Sequence, residues 1–205
     1  MRGAALRGGG ESLSHVDPVA IHGPPAYLPS RVKPLSHPDN LYVSAAEGWL
    51  MLGDARSARE ELAKLSPKVR EEAGVAELEW TICARAEDWI AAFAVAEQMV
   101  QTNPERSFGW VHRAYAARRM PGGGLARAWA LLRPAAEKFP KEHLIPYNLA
   151  CYAAQSERLE EAWDWLQRAR DASGNSEEVK AMALVDDDLR PLWGRLSGEG
   201  SKGPP

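Results

Sequence analysis

Cysteine is almost missing: Cys83 and Cys151 are the only two in 205 residues. Both fall inside apolar helical patterns, which excludes a disulfide framework and points to reduced core thiols, so a cytoplasmic location is expected. No run of about 18 apolar residues occurs, which excludes a spanning helix and a membrane partner. Arg2 and Arg7 are followed by Gly8-Gly9-Gly10 instead of an apolar run, so no signal peptide is expected. Twenty-five basic residues against 28 acidic ones leave a net charge of -3, without the overall positive field that drives nucleic-acid binding.

Catalytic and metal signatures are missing too. His112 and His143 stand apart, without a second His or Cys at ligand spacing, so no metal is expected. Glu160 and Glu161 are adjacent on a helix and point to different sides, which excludes a carboxylate pair across a substrate. Asp186-Asp187-Asp188 lacks the alternate spacing and glycine of a calcium loop and reads as a helix cap. Gly122-Gly123-Gly124 has no following Lys-Ser and no strand context, so it is a turn and not a phosphate loop. An enzyme and a cofactor are therefore not expected.

What is present is helical periodicity, framed by two stretches without it. Residues 1–38 carry three successive glycines and then Pro18, Pro24, Pro25, Pro29, Pro34 and Pro38, and read as a flexible leader. Docking of Ala26-Tyr27-Leu28 on the first repeat is the other role open to it. Residues 197–205 read as a loose tail, leaving 39–196 as the folded domain. Asn148 to Ala169 shows the unit most clearly: Leu149, Ala150 and Ala153, a polar turn at Gln155 to Arg158, then Leu159, Ala162, Trp163, Leu166 and Ala169. This is a helix, a tight turn and a helix, and each helix is too short to be stable alone.

The unit repeats. Turn residues Asp54, Asp88, Gly124 and Arg158 are spaced 34, 36 and 34 apart, and Ala58, Ala92, Ala128 and Ala162 keep the same intervals in the second helix. Ala46, Ala114 and Ala150 recur in the first helix, with Trp80 at the remaining place. Alanine at such places lets two helices approach closely. Asp39 or Asn40 can cap the first helix, Ser66 the helix begun by Pro67, and Ser176 and Asp187 or Asp188 the helices of a closing segment that ends near Trp193.

With Ala86 to Pro104 and Tyr147 to Ala169 as its best-matching stretches, the sequence resembles the tetratricopeptide repeat family, whose unit is a 34-residue helix-turn-helix. The resemblance implies an all-α fold, a right-handed α-solenoid of about four repeats with a C-terminal capping helix. It also implies a concave groove, lined by first helices, that grips a peptide or protein segment. Places matching that lining hold Val43, Glu47 and Leu50, then Glu77 and Thr81, then Val111, Tyr115, Arg118 and Arg119, then Tyr147, Asn148 and Cys151. The chaperone-binding asparagine of the family is replaced by Glu47, Thr81, Tyr115 and Cys151, which disfavours chaperone tails.

Ser107 to Ala136 contains Arg113, Arg118, Arg119, Arg127 and Arg133 and no acidic residue. Arginine can fork onto a carboxylate and tyrosine offers apolar area with a polar handle. His112, Tyr115, Arg118, Arg119, Tyr147 and Asn148 are accordingly the candidate partner-binding residues. The alternative is a structural subunit, a homo-oligomer formed through the solenoid ends or Trp165. Two local expectations follow: Glu79 pairs with Arg113, 34 residues on, and Trp165 packs against the closing segment.

Overall fold

The computed structural model describes residues 35–198; the leader before them and the tail after them lie outside the described residues. Among the described residues the chain is all helical, with no strand. The first pair is α1 (Asp39–Met51) and α2 (Ala55–Leu62), followed by the one-turn α3 (Pro67–Arg70). The second is α4 (Ala73–Arg85) and α5 (Trp89–Thr102). The third is α6 (Ser107–Arg119) and α7 (Leu125–Leu132), with α8 (Ala135–Lys138) beyond Pro134. The fourth is α9 (Leu144–Gln155) and α10 (Leu159–Ser173). Then come α11 (Ser176–Ala183), a 3-10 segment (Asp187–Leu192) and α12 (Trp193–Leu196).

Each helix packs on its neighbour in sequence within a pair, and successive pairs meet through α2 with α4, α5 with α6 and α7 with α9. The small residues explain this closeness. Ala46, Ala114 and Ala150 of the first helices and Ala58, Ala92, Ala128 and Ala162 of the second are fully buried, as the spacing predicts. Trp80, at the place of an alanine, is buried as well, and meets Phe108, His112 and Tyr115 edge to face.

Three of the four turns are copies. The amides of Asp54, Asp88 and Arg158 each donate, at 2.9 Å, to the carbonyl five residues back, on Trp49, Cys83 and Ala153. The residue before each adopts the left-handed conformation: Gly53 at φ 81°, Glu87 at 53° and Glu157 at 60°. This is the Schellman ending of a helix. Asp54 and Asp88 then cap the next helix, accepting from Ser57 N at 2.9 Å and Ala91 N at 3.1 Å. The third turn holds the two extra residues, and a Cβ on Gly123 would fall 1.9 Å from the Ala117 carbonyl oxygen.

Several local expectations are corrected. Asp39 does not cap α1; its carboxylate accepts from Ser66 N at 2.9 Å and Ser66 Oγ at 3.1 Å, tying α1 to the start of α3. Ser66 stands before Pro67 but makes no side-chain bond to α3. Asn175, not Ser176, caps α11, and Asp186, not Asp187 or Asp188, caps the 3-10 segment. Arg113 bonds Glu97 at 3.0 Å, so the pair with Glu79 does not form. Trp165 meets Trp129 of the third pair at 6.2 Å, with the Arg133 and Arg168 guanidinium groups 5.0 and 4.5 Å from its ring centre. Trp163 is the tryptophan that faces the closing segment, beneath Arg195 at 4.2 Å.

Candidate functional site

The places expected to line a groove divide into two parts. On α9 and the end of α6 they are covered by the chain itself, because the closing segment leaves α11 and returns across α9. Tyr147 and Cys151 are buried there, in one cluster with Leu189, Leu192 and Leu196. Burial of three leucines contributes roughly 2 kcal/mol each, so this cover is part of the fold and not a loosely held flap.

Polar contacts fix its register. Arg118 forks onto Asp188: Nη1 donates to Oδ2 and Nη2 to Oδ1, the latter at 2.9 Å. Tyr147 donates its hydroxyl to Asp186 Oδ2 at 2.9 Å, and the Cys151 thiol reaches the same oxygen at 3.5 Å. The other oxygen of Asp186 accepts from Asp188 N at 2.9 Å, and Gln155 Nε2 donates to the Asp188 carbonyl at 3.1 Å. Burial pushes the Asp186 carboxyl up to about 6, with the hydrogen bonds from Tyr147 and Asp188 N opposing it and the Asp188 charge adding to it. Burial also raises the Tyr147 hydroxyl and the Cys151 thiol, both helped by the charge of Asp186.

One ligand atom each of Cys151, Asp186 and Asp188 lies within 4.8 Å of the others, a grouping the sequence reading did not foresee. The Arg118 guanidinium, forked onto Asp188, supplies positive charge beside this group.

The remaining candidates lie toward α4. His112 stacks on Phe108 with centroids 3.6 Å apart and planes 14° off parallel, and meets Trp80 at 4.2 Å. Its Nδ1 donates to the Phe108 carbonyl at 2.9 Å, and burial pushes it down to about 4, so it is neutral near pH 7 and part of the packing. Asn148 turns back to its own helix, donating to the Leu144 carbonyl at 2.7 Å. Tyr115 and Arg119 are half-buried. The Arg119 guanidinium lies 3.6 Å from the Tyr115 ring centre and 5.6 Å from that of Trp89. Of the six candidates, then, Arg118 and Tyr147 hold the closing segment, His112 and Asn148 are spent locally, and Tyr115 and Arg119 form one aromatic-cation unit.

A second concavity, an open cleft of about 610 Å³, runs between the second, third and fourth pairs and is lined by Glu77, Arg106, Ser107, Phe108, Phe139 and Glu142. Arg106 pairs with Glu77 there, and Ser107 Oγ donates to Glu142 at 2.9 Å. No helix among the described residues is long and apolar enough to cross a membrane. No protein-family model matches the chain, and no curated protein matches it.

Proposed function

We propose that this chain is a non-enzymatic protein-interaction module of the tetratricopeptide type: a right-handed solenoid of four helix pairs that binds a peptide or protein segment on the face shared by its first helices. The observation that carries the reading is that this face grips a chain segment already. Asp186–Leu192 lies on α9 and the end of α6, held by a forked arginine, a tyrosine hydroxyl and a glutamine amide. Those are the groups by which such a face would hold a partner. Within that face the reading assigns the partner to the aromatic-cation unit of Tyr115 and Arg119, beside Trp89, where the Arg119 guanidinium lies 3.6 Å from the Tyr115 ring centre. The reading involves no cofactor, metal or nucleic acid, and the cytoplasm suits a chain with reduced thiols.

The test is recovery of the bound partner by Tyr115→Ala combined with Arg119→Glu, against Arg127→Glu on the exposed side of α7. Loss of the partner with the first variant alone, at unchanged helicity, is the expected result. Equal recovery with both variants refutes the assignment of the face.

A self-associating subunit is the second reading. Met51 and Leu52, 89% and 77% exposed at the end of α1, favour it. A dilution-resistant oligomer in light scattering, with no second protein recovered, would establish it in place of the first.

A further inference from the structure

In every pair after the first, the leading face of the first helix is covered by the pair before. Val75 of α4 packs in one cluster with Ala58, Leu62 and Leu65. Gly109 of α6 lies so near α5 that a Cβ would meet Met99 Cβ and Val100 N at 3.1 Å. Ile145 of α9 is buried in one cluster with Leu132 and Ala135. The corresponding residue of α1, at intervals of 34, 34 and 36, is Leu41. Leu41 is 53% exposed, and Trp49, whose counterparts Cys83, Ala117 and Ala153 are buried, is 39% exposed. Leu41, Ala45, Trp49 and Leu52 follow one side of the helix and make an uncovered apolar stripe ~17 Å long.

The chain outside the structure ends at this stripe. Thirty-four residues precede the described ones. They join α1 at the Leu41 end through a turn in which Asn40 N donates to Ser36 O at 3.2 Å and Leu41 N to Pro38 O at 2.9 Å. The hold of Ser66 on Asp39 fixes that junction. A turn there lets the preceding residues run back along α1. Their sequence, Pro29-Ser30-Arg31-Val32-Lys33-Pro34-Leu35, has apolar residues every third position at Pro29, Val32 and Leu35. Three residues per turn and ~3.1 Å per residue are the repeat of polyproline II, which needs no backbone partner, and these three residues then form one edge ~19 Å long. The edge and the stripe match in length.

We propose that Pro29–Leu35 docks along α1 as a polyproline II segment, with Leu35 beside Leu41, Val32 over the small Ala45 and Pro29 at the Trp49–Leu52 end, closing the open end of the stack. A second copy of the chain is a poorer occupant. A stripe one helix wide offers a few hundred Å², against the ~800 Å² per partner of a stable dimer. The inference uses the repeat register but not the Tyr115 and Arg119 face, so either can fail without the other.

The test is made in the full chain. Val32→Cys with Ala45→Cys should close an intrachain disulfide under mild oxidation, about ten-fold or more faster than Val32→Cys with Arg168→Cys, because docking raises the effective concentration of the thiols. Cys83 and Cys151 are buried and do not compete. Mass spectrometry of the cross-linked peptide reads the product. As a second readout, Val32→Asp should speed amide exchange in α1 while leaving α9 unchanged. Three results would each overturn the proposal: equal rates for the two cysteine pairs, no cross-link at all, or a disulfide-linked dimer from Ala45→Cys alone, which would put a second copy on the stripe.

Discussion

Arg118 and Asp188 are 70 residues apart in sequence and bonded by the two terminal guanidinium nitrogens to the two carboxylate oxygens. Their side chains are only 17% and 11% exposed, so neither charge can turn to water once its partner is gone. Replacing either residue alone, Arg118→Met or Asp188→Leu, should therefore cost about 3 kcal/mol, the cost of leaving a buried charge unpaired. The double variant Arg118→Met with Asp188→Leu should regain most of that loss. Urea denaturation of the four proteins closes the cycle; single losses near 0.5 kcal/mol that simply add would reduce the contact to a surface ion pair.

Asp186 makes stability depend on pH in the direction opposite to an ordinary paired carboxylate. Burial pushes its folded value up to about 6, while the unfolded value is about 3.9. Between those two the folded protein holds the proton and the unfolded chain does not, so stability falls as pH rises from ~4 to ~6 and stays lower above. The full effect is about 3 kcal/mol. Asp186→Asn cannot ionise and keeps an oxygen for Tyr147 or Asp188 N. Its stability relative to the natural chain should increase between pH 4.5 and pH 7.5 in denaturant titrations, and a difference that does not change with pH would place the proton elsewhere.

The repeat was legible because it rests on small residues at fixed intervals, and sterics at a helix crossing leave little choice there. Ala58, Ala92, Ala128 and Ala162 are all fully buried. The closing segment was legible as a lid but not in its position, since Asp186-Asp187-Asp188 has a sufficient local reading as a cap. The cap is Asp186 and not the expected Asp187 or Asp188, and the local reading hid the pairing of Asp188 with Arg118. A signal existed in the run from Ser107 to Ala136: five arginines without an acid must find counter-charges outside it, and Arg118 finds Asp188 while Arg113 finds Glu97. Trp165 misled for a related reason. Helical spacing showed that it leaves the side of Trp163, but which neighbour it meets is set by tertiary packing, and that neighbour is Trp129.

The copied turns identify two residues that cost stability. Glu87 and Glu157 take the left-handed conformation that Gly53 takes at the same place, where a Cβ crowds the backbone by about 1 kcal/mol. Both side chains are exposed, so nothing is lost by removing them. Glu87→Gly and Glu157→Gly should each raise stability by about 0.5–1 kcal/mol, and together by the sum, since they sit in separate turns. Thermal melting at fixed pH measures this. A lowered Tm in either variant would mean that the flexibility glycine adds to the unfolded chain outweighs the relief of strain.

His112 should give the fold an acid-sensitive contact at the interface of α4 and α6. Its ring is held between Phe108 and Trp80, and burial keeps its folded value at about 4 against about 6.5 in the unfolded chain, while the Phe108 carbonyl pulls weakly the other way. The unfolded chain gains a proton between those values and the folded chain does not. The stability from this site is thus complete above pH ~6.5 and is lost as pH falls toward ~4. With some allowance for residual exposure of the ring, the loss is about 2 kcal/mol. His112→Phe preserves the stack and removes the titration. Unfolding followed from pH 7 to pH 4.5 should show a smaller loss in the variant, in the same window where Asp186 acts with opposite sign, so the comparison must be made in an Asp186→Asn background. Identical pH profiles there would mean that His112 is protonated in place, with water reaching the ring between Phe108 and Trp80.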